Sequence, residues 1–223
     1  EVLWWMRPIC GALHYAHNLG VAHCDIKPAN IMVTPDGRVY LADFGIARLG
    51  ESSTTTAWSP GTPAYMSPEQ CRGEELDGRT DIYALGVTLY EMVTGGERPF
   101  TGETTGSTGS VAERIRWQHF FEAPPPASRY NPALPLAVEA VIQRAMAKDR
   151  ADRWPGALPL LRAMEAAGGD AVVGPAAPAQ TGTPFAGIAG TPPNTEGRAV
   201  GTNTGARYMS SATVSESLPR LEG

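Results

Sequence analysis

The sequence predicts a mainly α-helical fold with one small β-hairpin, followed by a disordered tail. Three features carry that reading. Apolar residues recur at three- and four-residue spacing in several separated stretches, the mark of helices with one buried face. Two short apolar runs, Ile31-Met32-Val33 and Val39-Tyr40-Leu41, flank Pro35-Asp36-Gly37, the pattern of a hairpin with a turn at its middle. Beyond Gly168 the chain turns to Gly, Pro, Ala and Thr, with Phe185 and Tyr208 the aromatic exceptions. Such a segment has too little apolar surface to offset the ordering of its backbone. The expected division is a folded part at 1–167 and a tail or linker at 168–223.

The first helix is expected from Glu1 to Asn18, with Leu3, Met6, Ile9, Cys10, Leu13 and Ala16 at helical intervals and Gly20 as the stop. Pro8 and Gly11 oppose it, at ~3 and ~1 kcal/mol in a helix interior, so packing has to offset them, for instance with a kink. The adjacent Trp4 and Trp5 fit packing in the core or against a partner. After the hairpin, residues 46–75 are rich in Ser, Thr, Gly and Pro and read as one long loop. Loops of that length inside a domain are usually functional. Helical spacing returns at Asp81 to Thr94 and ends at Gly95-Gly96. Ile82, Tyr83, Ala84, Leu85, Val87 and Leu89 make this helix apolar on most sides, which places it at the centre of the domain. Further helices fit Ser110 to Phe121, Leu136 to Lys148 and Pro155 to Ala167.

Composition narrows the function. The chain has 223 residues, with 18 Lys+Arg against 23 Asp+Glu and a formal net charge of -5. That mild acidity argues against a dedicated nucleic-acid binder, which needs a basic face to displace phosphate counterions. Three cysteines, Cys10, Cys24 and Cys71, leave one over in any internal pairing and show no Cys-x-x-Cys spacing, so neither a disulfide scaffold nor a structural zinc site is expected. No apolar run approaches the ~20 residues of a membrane helix, and no signal peptide is evident. The expected compartment is a reducing, cytoplasmic one.

The chemistry is concentrated in His23-Cys24-Asp25-Ile26-Lys27-Pro28-Ala29-Asn30 and, after the hairpin, in Asp43-Phe44-Gly45. A hairpin returns residue 43 to the end where residue 30 entered. A carboxylate and an amide oxygen are hard ligands suited to Mg²⁺, which takes few protein groups and shares its shell with phosphates. A second carboxylate can accept or orient a hydroxyl proton, and a lysine two residues on can neutralise a moving phosphoryl group. These are the parts of phosphoryl transfer, where catalysis is mostly positioning and charge stabilisation. Singly, each residue is an ordinary turn residue; their order and spacing carry the signal.

In these motifs the chain resembles the catalytic core of protein kinases, and within them the bacterial, eukaryotic-like serine/threonine kinases. Asp25-Ile26-Lys27-Pro28-Ala29-Asn30 and Gly61-Thr62-Pro63-Ala64-Tyr65-Met66-Ser67-Pro68-Glu69-Gln70 carry the likeness, which runs over residues 1–167. It implies a kinase-like C-lobe that transfers the γ-phosphate of ATP, with Mg²⁺, to Ser or Thr hydroxyls of protein substrates. Asp25 would be the catalytic base or hydroxyl-orienting group, Lys27 would contact the γ-phosphate, and Asn30 and Asp43 would hold Mg²⁺. Thr62 would bond near Asp25 and Lys27, Phe44 would pack on His23, and Asp81 would brace the catalytic loop. Glu69 would pair with Arg153 in a structural role.

Two departures stand out. Cys24 replaces the arginine that in most such kinases meets an activation-loop phosphate, so coupling between phosphorylation of Ser52-Ser53-Thr54-Thr55-Thr56 and activity is expected to be weak. Only 22 residues precede His23, and they contain no Lys. A nucleotide-binding lobe needs at least ~60–70 residues, so the likeness covers the helical lobe alone and the isolated chain is expected to be inactive. The alternatives are a non-catalytic, kinase-like docking module and a small-molecule phosphotransferase. Retention of Asp25, Lys27, Asn30 and Asp43 together speaks against the first, and the Thr62 to Glu69 peptide floor against the second. The chain itself is expected to hold no membrane segment, with anchoring of a longer protein left open.

Overall fold

The structure, a computed structural model, describes residues 2–44, 63–103 and 109–168. Every described residue belongs to one compact unit, within residues 1–180. The expected tail lies outside the described residues except for Gly168, as do the Ser/Thr cluster at 52–56 and Thr62.

Helix α1 runs Val2–Asn18 and buries Leu3, Met6, Ile9, Cys10 and Leu13. Pro8 withholds one N–H inside it, and the apolar face holds the helix across that gap. Of the two tryptophans, Trp5 enters the core and Trp4 is half exposed. Gly20, at φ 74°, ends the helix in the left-handed region that suits glycine. There Val21 N–H donates to Ala16 O and Gly20 N–H to His17 O, both at 3.0 Å.

Strands β1 (Ile31–Val33) and β2 (Val39–Leu41) pair antiparallel, with Ile31 opposite Leu41 and Val33 opposite Val39. The turn closes where Pro35-Asp36-Gly37 predicts, through Gly37 N–H to Thr34 O at 2.9 Å. A 3₁₀ turn at Pro28–Asn30 leads directly into β1.

Helix α2 (Pro68–Arg72) breaks the long loop expected at 46–75. It is too short for apolar periodicity to register. Its start is nonetheless written in the sequence as a capping box: Ser67 caps Gln70 N–H while the Gln70 side chain returns to the Ser67 N–H. Helix α3 (Gly78–Val93) is the central helix, buried from Thr80 through Tyr90. It starts about a turn before the expected Asp81, because Asp77 caps it by accepting the Arg79 N–H. Gly78 looks like a helix breaker in the sequence, yet its missing Cβ is what admits the His17 ring, which a Cβ would meet at 2.6 Å.

Helices α4 (Val111–Phe121), α5 (Leu136–Ala145) and α6 (Ala157–Ala166) follow. The last two are a few residues shorter than their periodicity predicts, since Met146 leaves helical geometry and Gly156 is extended. Helix α1 lies against α6, β2 and α3, and α3 packs on α5. One hydrophobic core joins them. The hairpin and the loop before it therefore rest on a rigid helical base.

Candidate active site

The loop between α1 and β1 is held from below by one buried carboxylate. Asp81 Oδ2 accepts the His23 N–H and Oδ1 the Cys24 N–H, both at 2.7 Å. His17 Nε2 sits 2.8 Å from the same Oδ2. Gln70 Nε2 donates to the Cys24 carbonyl at 2.8 Å, so Cys24 is gripped on both backbone sides. Cys24 needs the grip: its φ is 65°, a left-handed value that costs a non-glycine residue about 1–3 kcal/mol. The only other described non-glycine residue at positive φ is Asp43, at 56°.

His23 ties this loop to the end of the hairpin. Its Nε2 donates to the Ala42 carbonyl at 2.9 Å, which leaves Nδ1 to accept the Asp25 N–H at 3.2 Å. One tautomer, protonated at Nε2, satisfies both bonds, an assignment made from the network. The Phe44 ring packs on His23 with centroids 4.5 Å apart.

Above this support stand the four residues singled out by motif. Asp25 is exposed and Asn30 buried, and Asn30 Nδ2 donates to the Asp25 carbonyl at 2.8 Å and to Asp25 Oδ2 at 3.0 Å. Lys27 Nζ reaches the same Oδ2 at 2.8 Å. Asn30 O accepts the Ala42 N–H at 2.8 Å, so Asp43 is the next residue along from this bond. Asp25, Lys27 and Asn30 are thus in direct contact, and Asp43 joins them through Ala42 and His23.

Whether the donor set suits Mg²⁺ can be judged from Asn30. Both its amide hydrogens have Asp25 acceptors, so its oxygen is available as a ligand. With the exposed Asp43 carboxylate this makes two hard oxygen donors, in keeping with a cation that completes its shell with phosphates and water. Among the described residues no group of three or more His, Cys, Asp or Glu has metal-holding geometry.

The expected Glu69–Arg153 pair is formed, and it is buried. Nη1 meets Oε1 at 2.6 Å and Nη2 meets Oε2 at 2.8 Å, with side chains 0% and 3% exposed. Arg153 also donates to the carbonyls of Ala147, Arg79 and Lys148, so all five of its N–H groups are used. Burial pushes the Glu69 carboxyl up, but the Arg153 fork and the Thr80 hydroxyl outweigh it and hold it below the usual carboxylate value.

Residues 1–162 match the protein kinase domain family. This chain belongs to that family. It is 45% identical over 157 residues to a probable serine/threonine-protein kinase, CE0033, of Corynebacterium efficiens, covering 67% of this chain and 23% of the relative. It is 43% identical over 149 residues to the serine/threonine-protein kinase PknB of Mycobacterium tuberculosis, covering 65% and 22%. The chain thus spans about a fifth of the length of these curated relatives. The crystal structure of the Mycobacterium tuberculosis PknI kinase domain superposes with a TM-score of 0.55 at 33% identity, over 75% of this chain and 55% of that one. The helical architecture with its two-stranded hairpin is the C-lobe of the kinase fold, and the relatives are bacterial serine/threonine kinases. No helix among the described residues is long and apolar enough to cross a membrane.

Two supports of this candidate site escape sequence reasoning. His17 reads as a surface or packing histidine, and Gln70 as part of a loop. The available signal for Gln70 was the capping box. For His17 it was the helical spacing that puts it one turn after Leu13, with Gly78 leaving room opposite.

Proposed function

We propose that this chain is the catalytic C-lobe of a serine/threonine protein kinase that moves the γ-phosphate of ATP to Ser or Thr hydroxyls of proteins. The observation that carries it is the pair of hydrogen bonds that Asn30 Nδ2 donates to the Asp25 carbonyl and to Asp25 Oδ2, which aligns the base and leaves the amide oxygen free to act as a ligand. Asp25 accepts the acceptor hydroxyl's proton or orients it, a role worth about 10²–10⁴-fold in rate. Lys27 leaves Asp25 for the γ-phosphate as charge develops there. Asn30 and Asp43 would hold Mg²⁺, which when bound would neutralise charge on the phosphate oxygens. By family likeness Thr62, outside the described residues, would contribute to the peptide floor. The Asp81 and Gln70 bonds that hold the left-handed backbone at Cys24 keep this geometry in place before substrate arrives.

On this reading the ATP site is shared with a nucleotide-binding lobe, and the 223 residues alone turn over little. The test is incorporation of labelled γ-phosphate into a Ser/Thr acceptor protein, by the chain alone and by the chain joined to a nucleotide-binding lobe. Mg²⁺-dependent incorporation by the joined protein, and little by the chain alone, is expected. A joined protein that binds Mg²⁺-ATP without transferring phosphate would instead favour a docking module.

A further inference from the structure

His119 on α4 is fully buried, and nothing in the proposed chemistry uses it. Its Nδ1 lies 2.8 Å from the Tyr83 hydroxyl on α3, and the Phe100 ring packs edge-on with centroids 4.7 Å apart. The other ring nitrogen, Nε2, has no hydrogen bond among the described residues. Leaving a buried polar atom unpaired is costly, so what it faces matters. The backbone carbonyls that bear on the imidazole are those of Ala64 and Pro63. They belong to the 3₁₀ turn Pro63–Tyr65, which buries both residues and packs against α3 and α4.

The ring carries a single proton. Burial pushes the His119 value down to about 3; Lys148 reinforces that shift and the two carbonyls oppose it. Lys148 itself donates to the Gln118 carbonyl at 3.1 Å and lies 4.4 Å from the Phe100 centroid, so its charge is fixed beside the ring. A proton on Nδ1 would leave a bare Nε2 against carbonyl oxygens. A proton on Nε2 lets Nδ1 accept from the Tyr83 hydroxyl and aims a donor at the turn, which assigns the tautomer from its neighbours.

We propose that His119 is a positioning residue for the protein acceptor. A small adjustment of the turn brings the Nε2–H onto the Ala64 or Pro63 carbonyl, and that bond fixes the turn from the α4 side. From the α3 side the Tyr65 hydroxyl already donates to Glu91 Oε2 at 2.6 Å. The turn directly follows Thr62, which the family likeness assigns to the peptide floor. The inference rests on the phosphotransfer reading and adds to it a residue from outside the motifs.

The test has two arms. In the full chain labelled with ¹⁵N-histidine, NMR should find His119 protonated at Nε2 and bare at Nδ1; the opposite tautomer would overturn the proposal, whether or not any variant folds. In the chain joined to a nucleotide-binding lobe, His119→Leu should raise the KM for the acceptor protein about fivefold. Its kcat and its KM for ATP should stay within about twofold of wild type. His119→Gln, whose amide N–H can stand in for Nε2–H, should recover most of the loss. A merely structural role would reduce the active fraction, and so kcat, without moving the acceptor KM. An unchanged acceptor KM in the Leu variant, or a Gln variant no better than Leu, would overturn this proposal while leaving phosphotransfer intact. A wild-type joined protein with no turnover would sink both.

Discussion

Two pairs of carboxylates divide the labour of this lobe. Glu69 and Asp81 are buried, and each is met by fixed donors: the Arg153 fork and Thr80 hydroxyl for one, two backbone N–H groups and His17 for the other. Asp25 and Asp43 are exposed, and the partners of Asp25 are a lysine on a long stem and an amide. A buried charge is tolerable only when its lone pairs are satisfied, and that requirement makes it a rigid anchor. An exposed charge keeps its freedom to exchange partners, which a group that meets substrate, metal and proton in turn requires. On the proposed function, frame and chemistry draw on the same group, the carboxylate, in two environments.

The sharpest way to break that contrast is to remove one partner from the buried side. Arg153→Met leaves Glu69 uncompensated and should cost about 3–5 kcal/mol in urea unfolding. Adding Glu69→Gln should recover part of the loss, whereas breaking the exposed Arg38–Asp36 pair should cost below ~1 kcal/mol. If Arg153→Met were as mild as Arg38→Ala, burial would not be what separates the two classes. Next in size, Gly78→Ala forces a Cβ against the His17 ring and should destabilise by about 1–3 kcal/mol. In the chain joined to a nucleotide-binding lobe it should also lower the rate of labelled γ-phosphate transfer beyond what stability explains, because His17 would be pushed from Asp81.

Acid sharpens the comparison further. The folded Glu69 value lies below its ordinary 4.5, so the unfolded chain binds the extra proton first as pH falls. Its contribution is complete above about pH 4.5 and is lost as pH drops through the lower folded value. A urea midpoint that falls on acidification in the wild type, and less so in the Glu69→Gln/Arg153→Met protein, is the expected result. The smallest effect is a gain: Gly11 faces open space within α1, so Gly11→Ala should stabilise by about 0.5–1 kcal/mol in thermal unfolding.

Much of this was legible in the sequence. The hairpin is legible in Pro35-Asp36-Gly37, and α4 in the helical spacing from Ser110 to Phe121, to which the structure adds the Ser110–Glu113 capping box. Motif order and spacing predict that Asp25, Lys27, Asn30 and Asp43 converge; the first three are in direct contact, and Asp43 connects to them through Ala42 and His23. What stayed hidden depended on tertiary fit. The Gly78 start of α3 reads as a break until the His17 ring is seen opposite. Helix α2 is too short to show a period, and the role of Gln70 rests on a carbonyl 46 positions away in the chain. The Lys148 setting likewise depends on Phe100 and Gln118, which local pattern does not connect to it.

The most direct measurement is a Mg²⁺ titration of phosphate transfer by the chain joined to a nucleotide-binding lobe, comparing wild type, Asp25→Asn and Asp43→Asn. Asp25→Asn should lower the plateau rate by about 10²–10⁴-fold with the Mg²⁺ midpoint little changed. Asp43→Asn should move the midpoint to higher Mg²⁺. An Asp25→Asn protein that reaches the wild-type plateau would contradict the assignment of the exposed carboxylates to the chemistry.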